Sequence, residues 1–89
     1  DLSTLGANNR VHAELLRQAM TNLHSDNTAA ISPIPHHSEI ASRVSTTRET
    51  VARVLSDLAK QQIVIRTSNT IDIPDVERLA AMVEEVRGD

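Results

Sequence analysis

Not one Phe, Tyr or Trp occurs in the 89 residues, and this restricts the possible cores more than any other feature. A chain of this length makes one domain with one modest core. Without rings, that core has to be built from Leu, Ile, Val, Ala and Met, which limits the area buried per residue. The same absence weighs against activities that stack rings on nucleobases, such as single-strand binding. Cys is absent as well, which excludes disulfides and thiolate metal sites.

Apolar spacing divides the chain into elements. Residues 1–8, with Gly6 and Asn8, have little to bury and are expected to be a linker or the frayed end of a preceding helix. From Asn9 onward, Val11, Leu15, Leu16, Ala19, Met20 and Leu23 recur at helical spacing, with Asn8 or Asn9 as N-cap. His24-Ser25-Asp26-Asn27-Thr28 is a turn cluster. Ala30-Ile31-Ser32 predicts a short strand, and Pro33 and Pro35 hold the chain extended, so no helix begins before about His36.

A short helix is predicted over about 37–44, with Ile40, Ala41 and Val44 inward, and Ser45-Thr46 breaks it. A second runs from about Thr47 to Gln61, with Val51, Val54, Leu55 and Leu58 on one face. Ile63-Val64-Ile65-Arg66 and Thr70-Ile71-Asp72-Ile73 are β-rich and separated by Thr67-Ser68-Asn69. That pattern predicts a hairpin, with Asn69 able to take a left-handed turn conformation. Pro74 suits the first turn of a last helix over about 74–87, and Asp75 and Glu77 complement its positive end. Val76, Leu79, Ala80, Val83 and Val86 form its apolar stripe.

Two short helices joined by a tight turn make a helix-turn-helix, the unit that places a second helix in the DNA major groove. With the hairpin as a wing, the expected fold is mainly α with a small β-hairpin. It is a winged helix-turn-helix, made of a three-helix core, a wing and a C-terminal helix. The domain is expected to occupy 9–89, with the helix-turn-helix at about 37–61 and the wing at about 63–73. Ala41 supplies the small residue needed where the two helices cross. Ser45 stands where such turns often have Gly, so a strained or adjusted turn is expected.

At about 100° per residue, the second helix buries Val51, Val54, Leu55 and Leu58 on one arc. Arg48, Glu49, Ala52, Arg53 and Ser56 lie on the other. Long hydrogen-bonding side chains with a small residue between them suit a groove about 12 Å wide. Arg can grip guanine O6 and N7 with two hydrogen bonds, and Glu can accept from cytosine N4. Thr47 and Thr50 can reach phosphates, as can the N–H groups of the helix start. Two plainer roles stand beside these: Thr46-x-x-Glu49 also spells a capping box, and Glu49 and Arg53 are spaced for a surface ion pair.

Charge argues the other way. The net charge is -3, whereas phosphate contacts need Lys and Arg. The acids concentrate at the end: residues 72–89 hold six against two arginines, and residues 1–71 hold seven Lys or Arg against six acids. Field steering should therefore be weak, and one copy alone should bind DNA poorly. His36-His37 invites a metal reading, but adjacent histidines point in different directions and no ligand cluster accompanies them. No apolar run approaches the roughly 20 residues of a membrane span, and no signal peptide is visible, so a cytoplasmic setting is expected. A chain starting at Asp1 rather than Met is expected to be a fragment or a processed product. No nucleophile–base pair, carboxylate pair or phosphate-cradling Gly loop stands out, so an enzyme is not expected.

The run from His37 to Leu55, His37-Ser38-Glu39-Ile40-Ala41-Ser42-Arg43-Val44-Ser45-Thr46-Thr47-Arg48-Glu49-Thr50-Val51-Ala52-Arg53-Val54-Leu55, resembles the helix-turn-helix of the cyclic-AMP receptor protein/FNR (Crp/Fnr) regulators. Leu58 to Ile73 resembles their wing, and the likeness covers roughly residues 9–78. It implies that Arg48, Glu49 and Arg53 read bases, in the cyclic-AMP branch those of a TGTGA-like half-site. Thr47, Thr50 and His37, with Ser38 and Ser56, are then candidates for backbone contact, as are Thr67 and Ser68 at the wing. Three positions depart from the family's habit: His36 replaces a Thr or Ser cap, and Ser45 and Ser68 replace Gly. Such regulators carry a cyclic-nucleotide-binding β-barrel and a long dimerisation helix ahead of this domain. Residues 1–8 would be the tail of that helix. No cofactor is expected within these 89 residues, and cyclic AMP is expected on the N-terminal domain.

The resulting expectation is a transcription regulator's output domain that binds double-stranded DNA. It should be a homodimer in the whole protein and a monomer alone. A rival from another class is a winged helix used for protein contact, favoured mildly by the acidic last helix. The loop His24–Thr28 is a candidate contact for RNA polymerase.

Overall fold

A computed structural model describes the backbone of residues 2–87 and the side chains of residues 6–85. Asp1, Gly88 and Asp89, with the side chains of residues 2–5, Val86 and Arg87, lie outside the described part. The elements run α1 (Leu2–Thr21), β1 (Ala29–Ile31), α2 (His37–Val44), α3 (Arg48–Lys60), β2 (Ile65–Arg66), β3 (Ile71–Ile73) and α4 (Val76–Arg87).

α1 starts before the apolar pattern does. Asn8 and Asn9, expected as caps, lie inside it, because Ala7 extends the buried stripe of Val11, Leu15 and Ala19 by another turn. Met20 and Leu23, expected inward, are exposed. Met20 follows Ala19 by about 100° and so falls off the buried arc. α1 packs on α4, α2 and α3 and forms the spine of the domain.

α2 and α3 pack against each other at the predicted positions, with Ile40, Ala41, Val51, Val54, Leu55 and Leu58 buried. Burying a Val or Leu of this kind stabilises by about 1.5–3 kcal/mol, so the stripe holds α3 in one rotational setting. Both helices end in Schellman turns closed by residues other than Gly. Ser45 has φ 58° and ψ 53°, and Thr46 N–H donates to Ala41 O at 2.9 Å. At the end of α3, Gln62 has φ 60°, Ile63 N–H donates to Leu58 O at 2.9 Å and Gln62 N–H to Ala59 O at 3.0 Å. That turn drives Ile63 and Val64 into the core, which is why β2 starts at Ile65 rather than at Ile63.

The hairpin belongs to a three-stranded antiparallel sheet of order β1-β3-β2. β3 pairs with β1 as Ala29↔Ile73 and Ile31↔Ile71, and with β2 as Ile65↔Asp72 and Arg66↔Ile71. Period-2 alternation puts Ala29, Ile31, Ile71 and Ile73 on the core face. At the wing tip Asn69 does not use the left-handed conformation open to it. Instead the Thr67 hydroxyl accepts from Thr70 N–H at 3.0 Å and Asn69 N–H at 3.4 Å, closing the turn through a side chain.

α4 begins after an Asp75 cap, whose carboxylate accepts from Arg78 N–H at 3.1 Å. Pro74, expected in the first turn, therefore precedes the cap. Asn27 completes that cap from across the fold. Its carbonyl accepts from Val76 N–H at 3.0 Å, its Oδ1 accepts from Glu77 N–H at 3.2 Å and its Nδ2 donates to Asp75 at 2.7 Å. Val76, Leu79 and Val83 bury the α4 stripe, while Ala80 and Met82 are half-buried.

Candidate nucleic-acid interface

α3 owes its start to Thr47, not Thr46. The Thr47 hydroxyl accepts from Thr50 N–H at 3.1 Å and donates to Thr50 Oγ1 at 3.0 Å. Thr46 is held by its main chain to Ala41. The Thr46–Glu49 capping box is therefore not formed, and Glu49 sits in the second helical position as an exposed side chain. The Glu49–Arg53 ion pair is not formed either: among the described residues, no hydrogen bond or ion pair engages the side chain of Arg48 or Glu49. Both plainer roles for Glu49 are thus vacant in this structure.

The exposed surface of α3 has two flanks. Arg48, Glu49 and Ala52 face the start of α2 across an open depression of about 710 Å³, whose other wall is Ile34, Pro35, His36, His37 and Ser38. Thr47, Thr50 and Arg53 face α1 across a smaller one of about 350 Å³, lined also by Ala7, Arg10, Ser45 and Thr46. Small, half-buried Ala52 keeps the first flank open. The 13 residues of α3 make a rod of about 20 Å at 1.5 Å per residue, a length and width that a major groove accepts.

α1 meets this surface at two points that sequence reasoning did not single out. Arg10 Nε donates to Val44 O at 2.7 Å and its Nη2 to Ser45 O at 3.1 Å, which caps the end of α2. Asn8 Oδ1 accepts from Arg53 Nη2 at 3.0 Å. These contacts span 34 to 45 residues of chain, and nothing local in the sequence signals them.

A sequence model of the Crp-like helix-turn-helix domain matches residues 9–82. The chain belongs to that family. Its fold is shared by oxidised CprK in complex with o-chlorophenolacetic acid, at 19% identity and TM-score 0.78, over 93% of this chain and 36% of that one. It is also shared by the imidazole-bound CO-dependent transcription factor CooA from Carboxydothermus hydrogenoformans, at 28% identity and TM-score 0.77, over 92% and 38%. The chain thus spans well under half of each. No curated protein matches it. Membership makes this Crp-like domain a DNA-binding module of transcription regulation rather than an enzyme.

The remaining candidates of the Crp-like domain scatter around α3. His37 is half-buried at the start of α2 and Ser38 is exposed beside it. His36 makes no side-chain cap, so α2 begins with main-chain bonds alone, Glu39 and Ile40 N–H donating to His36 O. Ser56 is half-buried, one turn beyond Ala52. At the wing, Ser68 is exposed, whereas the Thr67 hydroxyl is already committed to the turn. Among the described residues, no three His, Asp or Glu side chains converge as metal ligands, and no helix is long and apolar enough to cross a membrane.

A further charged group that ties the helix-turn-helix to α1 is Glu14, which is 9% exposed. It accepts from Arg17 at 3.0 and 2.6 Å and from Gln18 at 2.8 Å, and Arg43 on α2 lies 3.6 Å away. The Arg17 hydrogen bonds hold its carboxyl below the usual carboxylate range, outweighing desolvation, with further help from Gln18 and the two guanidinium charges. On the same helix, burial pushes the His12 imidazole below its ordinary value.

Proposed function

We propose that α3 lies in the major groove of duplex DNA and reads one half-site of a palindrome, with Arg48, Glu49 and Arg53 on base edges. The observation that carries this reading is the exposed pair Arg48–Glu49, whose side chains are unengaged, on an α3 flank that opens onto a depression of about 710 Å³. A guanidinium suits a guanine edge and a carboxylate a cytosine edge, and the two G·C pairs of a TGTGA-like half-site supply both. Thr50, His37, Ser38, Ser56 and Ser68 sit on the backbone beside it. Thr47 and Thr67, whose hydroxyls close turns, contribute there through their remaining lone pairs and neighbouring N–H groups. In the intact regulator, two copies would bind half-sites about 34–36 Å apart, in the cytoplasm, under control of a separate effector domain. Cyclic AMP is the effector that the family resemblance suggests. CprK is seen with o-chlorophenolacetic acid and CooA is CO-dependent, so calorimetry on the intact regulator has to choose among ligand classes.

The test is binding of a tethered dimer to a TGTGA-type palindrome and to scrambled duplexes over a range of salt. Arg48→Ala should cost about 1–3 kcal/mol and relax preference at one base pair. Equal affinity for both duplexes at every salt concentration would sink the proposal. A second surface has its own support: Met20 and Leu23 are 55% and 44% exposed beside the His24–Thr28 turn, which suits a contact with RNA polymerase. Substituting both by Ser should reduce transcription without changing DNA affinity.

A further inference from the structure

Arg53 differs from Arg48 and Glu49 in being held from outside its own helix. Its Nη2 donates to Asn8 Oδ1 at 3.0 Å. Arg53 is exposed, and an exposed arginine otherwise spreads over many rotamers. Asn8 itself is fixed in place. Ala7 and Val11 on either side of it are buried, and Arg10, two positions on, grips the Val44 and Ser45 carbonyls. α1 is thereby pinned both to the turn before α3 and to the second turn of α3. Of the five N–H donors on the guanidinium, one is spent on Asn8 and four remain, enough for a two-bond grip on a guanine edge. The Asn8 amide is neutral, so it orients the guanidinium without cancelling its charge.

We propose that Asn8 is a positioning residue for base selectivity: by pre-orienting Arg53 from α1, it sets the preference at the single base pair that Arg53 reads. This rests on the reading of α3 as the groove-bound helix. It predicts that part of the sequence specificity resides on a helix that does not enter the groove. It also separates the two arginines, because nothing comparable restrains Arg48.

The experiment selects duplexes from a pool randomised across the half-site, using the 89-residue chain at low salt, and sequences the bound fraction. In Asn8→Ala, preference at one base pair should fall on the order of tenfold, the lower end of the worth of one hydrogen bond to a charged group, with the other positions unchanged. Arg53→Ala should lose preference at that same base pair, and adding Asn8→Ala to it should change nothing more. Asn8→Asp keeps the acceptor at the same reach and should retain the pattern while weakening binding to every sequence through the added negative charge. Ala is a better helix former than Asn, so the fold should survive. Asn8→Leu, similar in size but without an acceptor, must reproduce the change. A wild-type pattern in Asn8→Ala and Asn8→Leu, or a loss spread evenly over all positions, overturns the role of Asn8. A flat pattern for the unsubstituted chain overturns the groove reading itself.

Discussion

Ser45→Gly should stabilise the domain, although it deletes a side chain at the most sensitive turn of the helix-turn-helix. Ser45 sits at φ 58° and ψ 53°, where an L-residue with a Cβ is disfavoured by roughly 1–2 kcal/mol. Its structural bonds run through the main chain: its N–H donates to Ala41 O, and its carbonyl accepts from Arg10 at 3.1 Å. Gly retains both. Against the relief of strain stands the larger entropy of Gly in the unfolded chain, about 0.4–1 kcal/mol. The net gain is about 0.5–1 kcal/mol, or about 2–6 °C in Tm for a domain of this size. Thermal and urea melts of the two proteins measure it directly. Ser45→Val, with a branched Cβ, should shift Tm the other way. A lower Tm for Ser45→Gly would refute the reasoning, since it would mean that the Ser side chain itself holds the turn.

Asn27→Ala should cost about 1–2 kcal/mol, the worth of a helix cap, because Asn27 serves the start of α4 with both its side chain and its carbonyl while holding φ 68°; hydrogen exchange should show α4 loosening first. Acid should destabilise the fold in two stages, since Glu14 and His12 both have folded pKa values below their ordinary ones. The unfolded chain then takes up the proton first, so each contribution is whole above the ordinary value and is lost as pH falls toward the folded one. His12 acts below its ordinary value of 6.5 and Glu14 below 4.5. His12→Leu should flatten the upper part of a Tm–pH curve and Glu14→Gln the lower part, and an unchanged curve in either variant would contradict the assignment.

Much of the layout was legible before any coordinates. α2 spans the predicted 37–44, and α3 sits between Thr47 and Gln61. Their apolar residues recur at 3.6-residue spacing, and their ends are marked by residues next to them in sequence. The strained turn at Ser45 was legible for the same reason, since a tight turn without Gly leaves few alternatives. The wing was only half legible. Thr67-Ser68-Asn69 marked a turn, but whether an Asn backbone or a Thr hydroxyl would close it depended on where the strands entered. Gln62, which is left-handed without being Gly, shortened β2.

The candidate site divides along the same line. That Arg48, Glu49 and Arg53 stand outside the buried face follows from angles along one helix, and sequence alone determined it. The choice between Thr46 and Thr47 as cap, which leaves Glu49 unengaged, was decided only in the folded chain, because two adjacent threonines offer the same chemistry and the turn geometry selects one. The Arg10 brace, the Asn27 cap and the hold of Asn8 on Arg53 join residues 34, 48 and 45 positions apart. Periodicity and propensity reach a few residues along the chain. Contacts at such separations exist only once the aliphatic core has packed α1, α3 and α4 into one arrangement, and there the tertiary structure alone had the deciding role.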